Sequence, residues 1–353
     1  MTSATLTTPP QDAERQVSRS DYTDIARWPD LITSMDREFL DTEHATHRPR
    51  CLARGTIDVH AAQNCTLGGV VARTALTDGV ADMIDVVVRA NRRSPNDVLT
   101  VLIEGDSHVG KSIAVQKAIL DRTKDIWGGP TPPLDGLGEG RHKSTPWFYV
   151  EAGATTGPVS LLVEICRFRG IPAEENTRPG ALMHRLRTNL LAMGTEGIVI
   201  DDAHFLVSAK DGKMSNQLKH MITGLPVTFV FVGMDLGASA LLDLTPGKGY
   251  QAAKQIVERA VGVNALDLGS PPRHDPRWQR MLQGVASQVH LLDGSEAADV
   301  FSHAGNCKAM HDQSGGRLGT AKKFIRLAGQ FALANEKCRF AQALEMAVQT
   351  GVR

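Results

Sequence analysis

Gly105-Asp106-Ser107-His108-Val109-Gly110-Lys111-Ser112 fits G-x-x-x-x-G-K-[ST] at every fixed position, and it follows directly on Val98 to Ile103, an apolar run rich in β-branched residues. No other feature constrains the fold as tightly. A buried strand must end where a glycine-rich turn opens onto a helix, and Ile113 to Leu120 reads as that helix. The glycines let the backbone turn so that its N–H groups face phosphates. The helix N-terminus adds its dipole and its unsatisfied donors. Lys111 would neutralise the β- and γ-phosphates of ATP, and Ser112 would ligate Mg2+. All eight residues are therefore candidate nucleotide contacts. The competing reading is a chance Gly-Lys-Ser loop, and the strand before it and the helix after it argue against that.

A strand-helix alternation runs through the middle of the chain. Met83, Val86 and Val87 are placed on one face of a helix ending near Arg92-Arg93, and Ser94 to Asp97 reads as a turn. Trp147 to Val150, Gly197 to Ile200, Val227 to Val232 and Val261 to Leu268 read as further strands. Helices are expected over Val159 to Phe168, along the Leu182, Leu186 and Leu190 face, and over Leu218 to Ile222. Strands alternating with helices imply an α/β fold, a parallel sheet covered on both faces. After Pro271-Pro272 the β signal fades, and Trp278 to Val289, Ala297 to His303 and Ala321 to Asn335 read as a small helical domain. The expected organisation is a disordered tail over 1–20, an N-terminal extension over 21–77, a nucleotide-binding core over 78–270 and a helical lid over 271–353.

A phosphate loop also needs an acidic strand tip to hold the metal. Ile198-Val199-Ile200-Asp201-Asp202 supplies one. Asp201 would bind Mg2+ directly or through water. Asp202 stands where many ATPases carry a Glu that polarises the attacking water, and it is one methylene shorter. A solvated acidic turn is the bland alternative. His204 would sense nucleotide or a partner, or would serve as a local hydrogen-bonding residue.

Composition narrows the class. Hydrophobic residues make up 42% and charged residues 22%, enough for a real core, and the formal net charge is zero. Charge therefore gives no argument for nucleic-acid binding, although a local basic stripe repeated in an oligomer would supply one. Cys51, Cys65, Cys166, Cys307 and Cys338 form no Cys-x-x-Cys pair, so no zinc site is expected and the thiols read as reduced. The first twenty residues hold no apolar run and no stretch reaches membrane-spanning length, so a cytoplasmic protein without a membrane partner is expected.

The phosphate motif, the Asp201-Asp202-Ala203-His204 form of the acidic tip, the Gln217-Leu218-Lys219 helix and the Phe229-Val230-Phe231-Val232-Gly233 strand occur in the order found in AAA+ ATPases. Over roughly 78–268 the pattern most resembles the TniB/TnsC-like transposition regulators, which are similar in turn to the IstB-type helpers. The resemblance implies an AAA+ core followed by a small α-helical lid. It implies that Gly233-Met234-Asp235 is the sensor 1 segment, where Met234 replaces a small polar residue and Asp235 is the nearby polar candidate. It implies that Arg259, at the end of Gln255-Ile256-Val257-Glu258-Arg259, reaches the nucleotide of a neighbouring subunit; a surface Arg paired with Glu258 is the alternative. It implies that Arg317, in Ser314-Gly315-Gly316-Arg317-Leu318-Gly319, is a sensor 2 residue, with Lys322 and Lys323 as competitors. Arg141, Lys143, Lys210 and Lys213 would lie in loops lining a DNA channel.

The function so implied is an ATPase that assembles as a homo-oligomeric ring or filament on DNA and recruits or activates a transposase. Two alternatives stand beside it. One is a STAND-type signalling switch with protein partners and no DNA. The other is a helicase-loader-like ATPase on single strands, which aromatic platforms would favour; only 5% of residues are aromatic.

Overall fold

A computed structural model describes residues 22–39, 74–94, 96–131, 144–153, 157–206, 212–236, 249–265, 270–287, 289, 291, 297–335 and 338–351. The expected tail over 1–20, most of the 21–77 extension, and Arg141, Lys143 and Lys210 lie outside the described residues.

In the described residues a 3₁₀ turn at Ile25–Arg27 leads into helix α1 (Trp28–Phe39), and α2 (Ala75–Arg93) follows. Thr74 caps α2: its side chain accepts from the Thr77 N–H, and the Thr77 hydroxyl accepts from the Thr74 N–H. Arg92 and Arg93 close the helix where its dipole favours cations. Its buried stripe is Leu76, Val80, Ile84, Val87 and Val88, spaced at three and four residues. The face expected from Met83, Val86 and Val87 is rotated from this one. Val86 is 54% exposed, because the core lies on the side set by Leu76 and Val80.

Then follow β1 (Thr100–Glu104), α3 (Lys111–Trp127), β2 (Trp147–Glu151), α4 (Pro158–Phe168), α5 (Pro179–Ala192) and β3 (Gly197–Asp201). After these come α6 (Lys213–Gly224), β4 (Thr228–Gly233), α7 (Tyr250–Glu258) and β5 (Ala260–Asn264). Among the described residues the five strands form one sheet in the order β2-β3-β4-β1-β5, and every pairing is parallel. Parallel strands need helical crossovers that cover the faces, which is why β1 to β4 read as unbroken apolar runs. The expected fifth strand is shorter at its carboxyl end, stopping at Asn264.

Polar side chains tie the amino edge of the sheet to α2 and α3. Asn91 takes the Leu99 N–H at 2.8 Å and donates to Leu99 O and Thr228 Oγ1, so one amide ties α2 to β1 and β4. Arg122 of α3 binds both Asp85 and Glu196, and Arg92 also binds Glu196. The α1 segment belongs to this core. Trp28 is fully buried, donates its indole N–H to Tyr22 O at 3.0 Å and meets Phe168 edge-on.

A second apolar cluster gathers α8 (Pro276–Ala286), a 3₁₀ turn at Ala297–Ser302, α9 (Ala304–Ser314), α10 (Leu318–Ala334) and α11 (Phe340–Gly351) around Trp278, Phe301 and Phe324. The Trp278 indole donates to Cys307 O at 3.0 Å. Thus a parallel sheet flanked by helices is followed by a helical region, as expected.

Candidate phosphate and metal site

The phosphate loop occupies the turn between β1 and α3. Gly110 has φ of +99°, a conformation that a Cβ would strain, and it opens α3 directly. The first four N–H groups of a helix have no acceptor within it, so the start of α3 presents donors towards the loop. Lys111 is the first residue of that helix and is nearly closed from solvent. Its ammonium folds back on the loop, donating to Gly105 O at 2.8 Å and Asp106 O at 2.7 Å. Burial pulls its pKa below the ordinary lysine value, while the carboxylates of Asp201, Asp202 and Asp106 push it back up. Lys111 therefore sits at the meeting point of the loop and the acidic strand tip. Ser112 follows in the first turn, half-buried.

Sheet order brings the acidic tip alongside. β4 lies between β1 and β3, and the parallel register aligns all their carboxyl ends at one edge. Asp201 is 1% exposed. Its Oδ1 accepts the Asp202 N–H at 2.8 Å, and its Oδ2 accepts the Tyr149 hydroxyl at 2.5 Å. Burial above all, and then the Asp201 charge, hold the Tyr149 phenol well above its usual pKa, so it is a proton donor here. Asp202 adopts φ of +54°, which turns the chain away from the strand into a single 3₁₀ turn, Ala203–Phe205. His204 packs against Phe205 with ring centroids 4.2 Å apart, and its Nδ1 is buried without a hydrogen-bond partner.

The end of β4 fills the space between loop and acidic tip. Register sets Gly233 opposite Glu104, the residue before the loop. Glu104 accepts the Leu236 N–H at 2.8 Å and so fixes the Met234-Asp235 turn beside the loop. Asp235 is exposed, with φ of +45°.

Arg317 caps α10 and pairs with Asp106, Nη2 to Oδ2 at 2.7 Å. Two residues on, the Gly319 N–H donates to His108 O at 2.8 Å. A Cβ at position 319 would meet that oxygen at 2.4 Å, so the helix can dock this closely only with glycine there. The N-terminus of α10 therefore points its positive end at the loop.

Arg259 stands apart. Its carbonyl accepts the Thr100 N–H at 2.9 Å, which puts it at the amino edge of the sheet. The five residues of β1, at about 3.3 Å each, separate it from the loop by roughly 16 Å. It lies 3.7 Å from Asp97 rather than beside Glu258. Arg259 cannot serve its own loop; any contact with nucleotide would be to that of another subunit. Lys213, which starts α6, is exposed.

The donor set fits nucleotide phosphates and magnesium. The loop offers backbone N–H groups and a buried ammonium. Asp201, Asp202 and the Ser112 hydroxyl are hard oxygen donors, the kind magnesium takes. Among the described residues no three His, Cys, Asp or Glu gather into a metal cage. Magnesium commonly shares one or two carboxylates with substrate phosphates, so no cage is required.

Sequence reasoning missed Tyr149, Gln116, Glu104 and Gly319. Gly319 lay inside a segment that the resemblance had marked. The other three carry no motif.

Comparison with known proteins bears on the fold. Residues 98–242 match the family model described as "AAA domain". The Aeropyrum pernix ORC2 protein, solved in ADPNP–ADP complexes, superposes with a TM-score of 0.55 at 15% identity over 77% of this chain and 67% of that one. Cdc6p of Pyrobaculum aerophilum superposes with a TM-score of 0.50 at 15% identity over 76% of this chain and 65% of that one. The chain thus spans about two thirds of the length of these solved structures. No curated protein matches. The sheet and its flanking helices are those of the P-loop AAA+ fold. Among the described residues no helix is long and apolar enough to cross a membrane.

Proposed function

From this P-loop AAA+ fold, we propose that the chain binds ATP with Mg2+, hydrolyses it, and uses ATP-dependent self-assembly on DNA to recruit or activate a transposase. The observation that carries the nucleotide reading is the position of Lys111, held at the loop with Asp201, Asp202 and Asp106 around it. Lys111 leaves the loop carbonyls to meet the phosphates, whose charge outcompetes neutral oxygens. Asp201 and Ser112 hold the metal, which supplies charge neutralisation to the transferring phosphoryl group. Asp202 accepts a proton from the attacking water, or orients it. Asp235 stands as the polar group at the end of β4, and Arg317 meets the γ-phosphate side of the nucleotide.

Arg259 completes the site of a neighbouring subunit. Its place at the far edge of the sheet supports that reading, because only contact in trans brings it to phosphate. Its planar fork of donors suits bridging a phosphate across an interface. The DNA and transposase assignments rest on the order of motifs that resembles TniB/TnsC-like regulators, with Lys213 and the loop cations acting by repetition in the assembly. A second reading, a protein-binding nucleotide switch of STAND type, draws on the Arg317–Asp106 pair, which ties the helical region to the loop.

Light scattering and negative-stain imaging with a slowly hydrolysed ATP analogue, with and without duplex DNA, test the proposal. Analogue-dependent rings or filaments on duplex are expected, weakening steeply with salt, and Arg259→Ala should reduce assembly and turnover while leaving ATP affinity nearly unchanged. A chain that stays monomeric under all these conditions contradicts it. Assembly indifferent to DNA favours the switch.

A further inference from the structure

Gln116 lies on α3, one helical turn beyond Ser112, and is 2% exposed. Its Nε2 lies 2.9 Å from the Tyr149 hydroxyl, which is itself 2.5 Å from Asp201 Oδ2. Tyrosine has one proton to give, and a carboxylate can only accept, so that proton goes to Asp201. The Tyr149 oxygen must then accept, which fixes the Gln116 amide with its nitrogen towards the ring. Gln116 Oε1 is left buried without a partner. The direction of the whole relay is thereby set: Gln116 to Tyr149 to Asp201.

The sheet builds this relay. Tyr149 is paired with Val199, two residues before Asp201 on the neighbouring strand, so the two side chains share a face. The Tyr149 ring is fully buried, and Tyr22 packs against it with ring centroids 6.1 Å apart. Phe148, pointing the other way, meets Phe168 at 4.8 Å instead.

We infer that Tyr149 is a positioning residue for the metal site: its hydroxyl fixes the rotamer of Asp201 and, through Gln116, ties that carboxylate to the helix that begins at the phosphate loop. This rests on the reading of Asp201 as a magnesium ligand. A partner that orients a ligating carboxylate typically changes metal affinity by about 10–100-fold when removed. Tyr149→Phe deletes only the hydroxyl.

The test is binding of a fluorescent ATP analogue to the full chain across a magnesium series, with a parallel series in EDTA. Tyr149→Phe should raise the magnesium concentration needed for half-maximal enhancement of affinity by roughly 10-fold or more, leaving affinity in EDTA unchanged. Gln116→Met, which keeps the volume but not the donor, should shift it in the same direction by less, and serves if Tyr149→Phe does not fold. Phe148→Leu should lower thermal stability without moving the magnesium requirement, which separates positioning from mere packing. If Asp201→Asn shifts the requirement and neither Tyr149→Phe nor Gln116→Met does, the inference is overturned. If Asp201→Asn itself leaves it unmoved, the reading of the metal site fails first.

Discussion

Arg317, at the head of α10, is ion-paired with Asp106 inside the phosphate loop, at 2.7 Å. A carboxylate of the protein thus holds an arginine beside the place where phosphates would bind. Both side chains are about half exposed, so the pair contributes no more than about 1 kcal/mol to stability. A larger effect is expected on ligand affinity. Asp106→Asn removes a negative charge from the loop and frees Arg317, so ATP affinity should rise several-fold. Arg317→Ala should lower it. Calorimetric titration of both variants and of the double variant checks this. Equal affinities in all four proteins would remove the pair from nucleotide recognition.

The segment around α1 is part of the core that supports the site. Trp28→Ala deletes a fully buried indole and its bond to Tyr22 O, and should cost about 3–5 kcal/mol. Urea unfolding measures this directly. A loss below about 1 kcal/mol would show that the segment packs only loosely.

Alkaline pH should destabilise the fold in a definable way. Burial pushes the Cys166 thiol from 9.0 to about 11, against a smaller opposing effect of Arg185. A folded pKa above the unfolded one gives stability that is complete below pH 9 and is lost as pH rises towards 11. Two units correspond to about 2–3 kcal/mol at most. Tyr149, also raised by burial, acts in the same direction from about pH 10 upward. Denaturation curves between pH 8 and 11 should fall less steeply for Cys166→Ala than for the parent. Parallel curves would contradict the assignment.

What the sequence disclosed follows physical lines. The turn between β1 and α3 was legible because its spacing is local: Gly105, Gly110, Lys111 and Ser112 fall within eight consecutive residues. The buried strands were legible because a parallel sheet covered on both faces needs continuous apolar runs. The face of α2 was misplaced, since Val86 is as apolar as Val87 and only packing against α3 and the sheet decides between them. Helix α9 escaped notice because only Cys307, Met310 and Ser314 of it are buried, too sparse an apolar face to read. The Tyr149–Asp201 bond joins residues 52 apart in sequence, and no local pattern marks it. The Gly319 contact with His108 likewise depends on how the helical region docks on the loop.

The central claim is that residues 105–112 bind the phosphates of ATP through Lys111, and calorimetric titration of Lys111→Ala with Mg-ATP tests it most directly. The ammonium is the main point charge at the loop, so high-affinity binding should be lost in the variant. Far-UV circular dichroism should stay unchanged, since the residue's bonds are to two loop carbonyls and not to the core. A folded Lys111→Ala variant that binds ATP as the parent does would contradict the account.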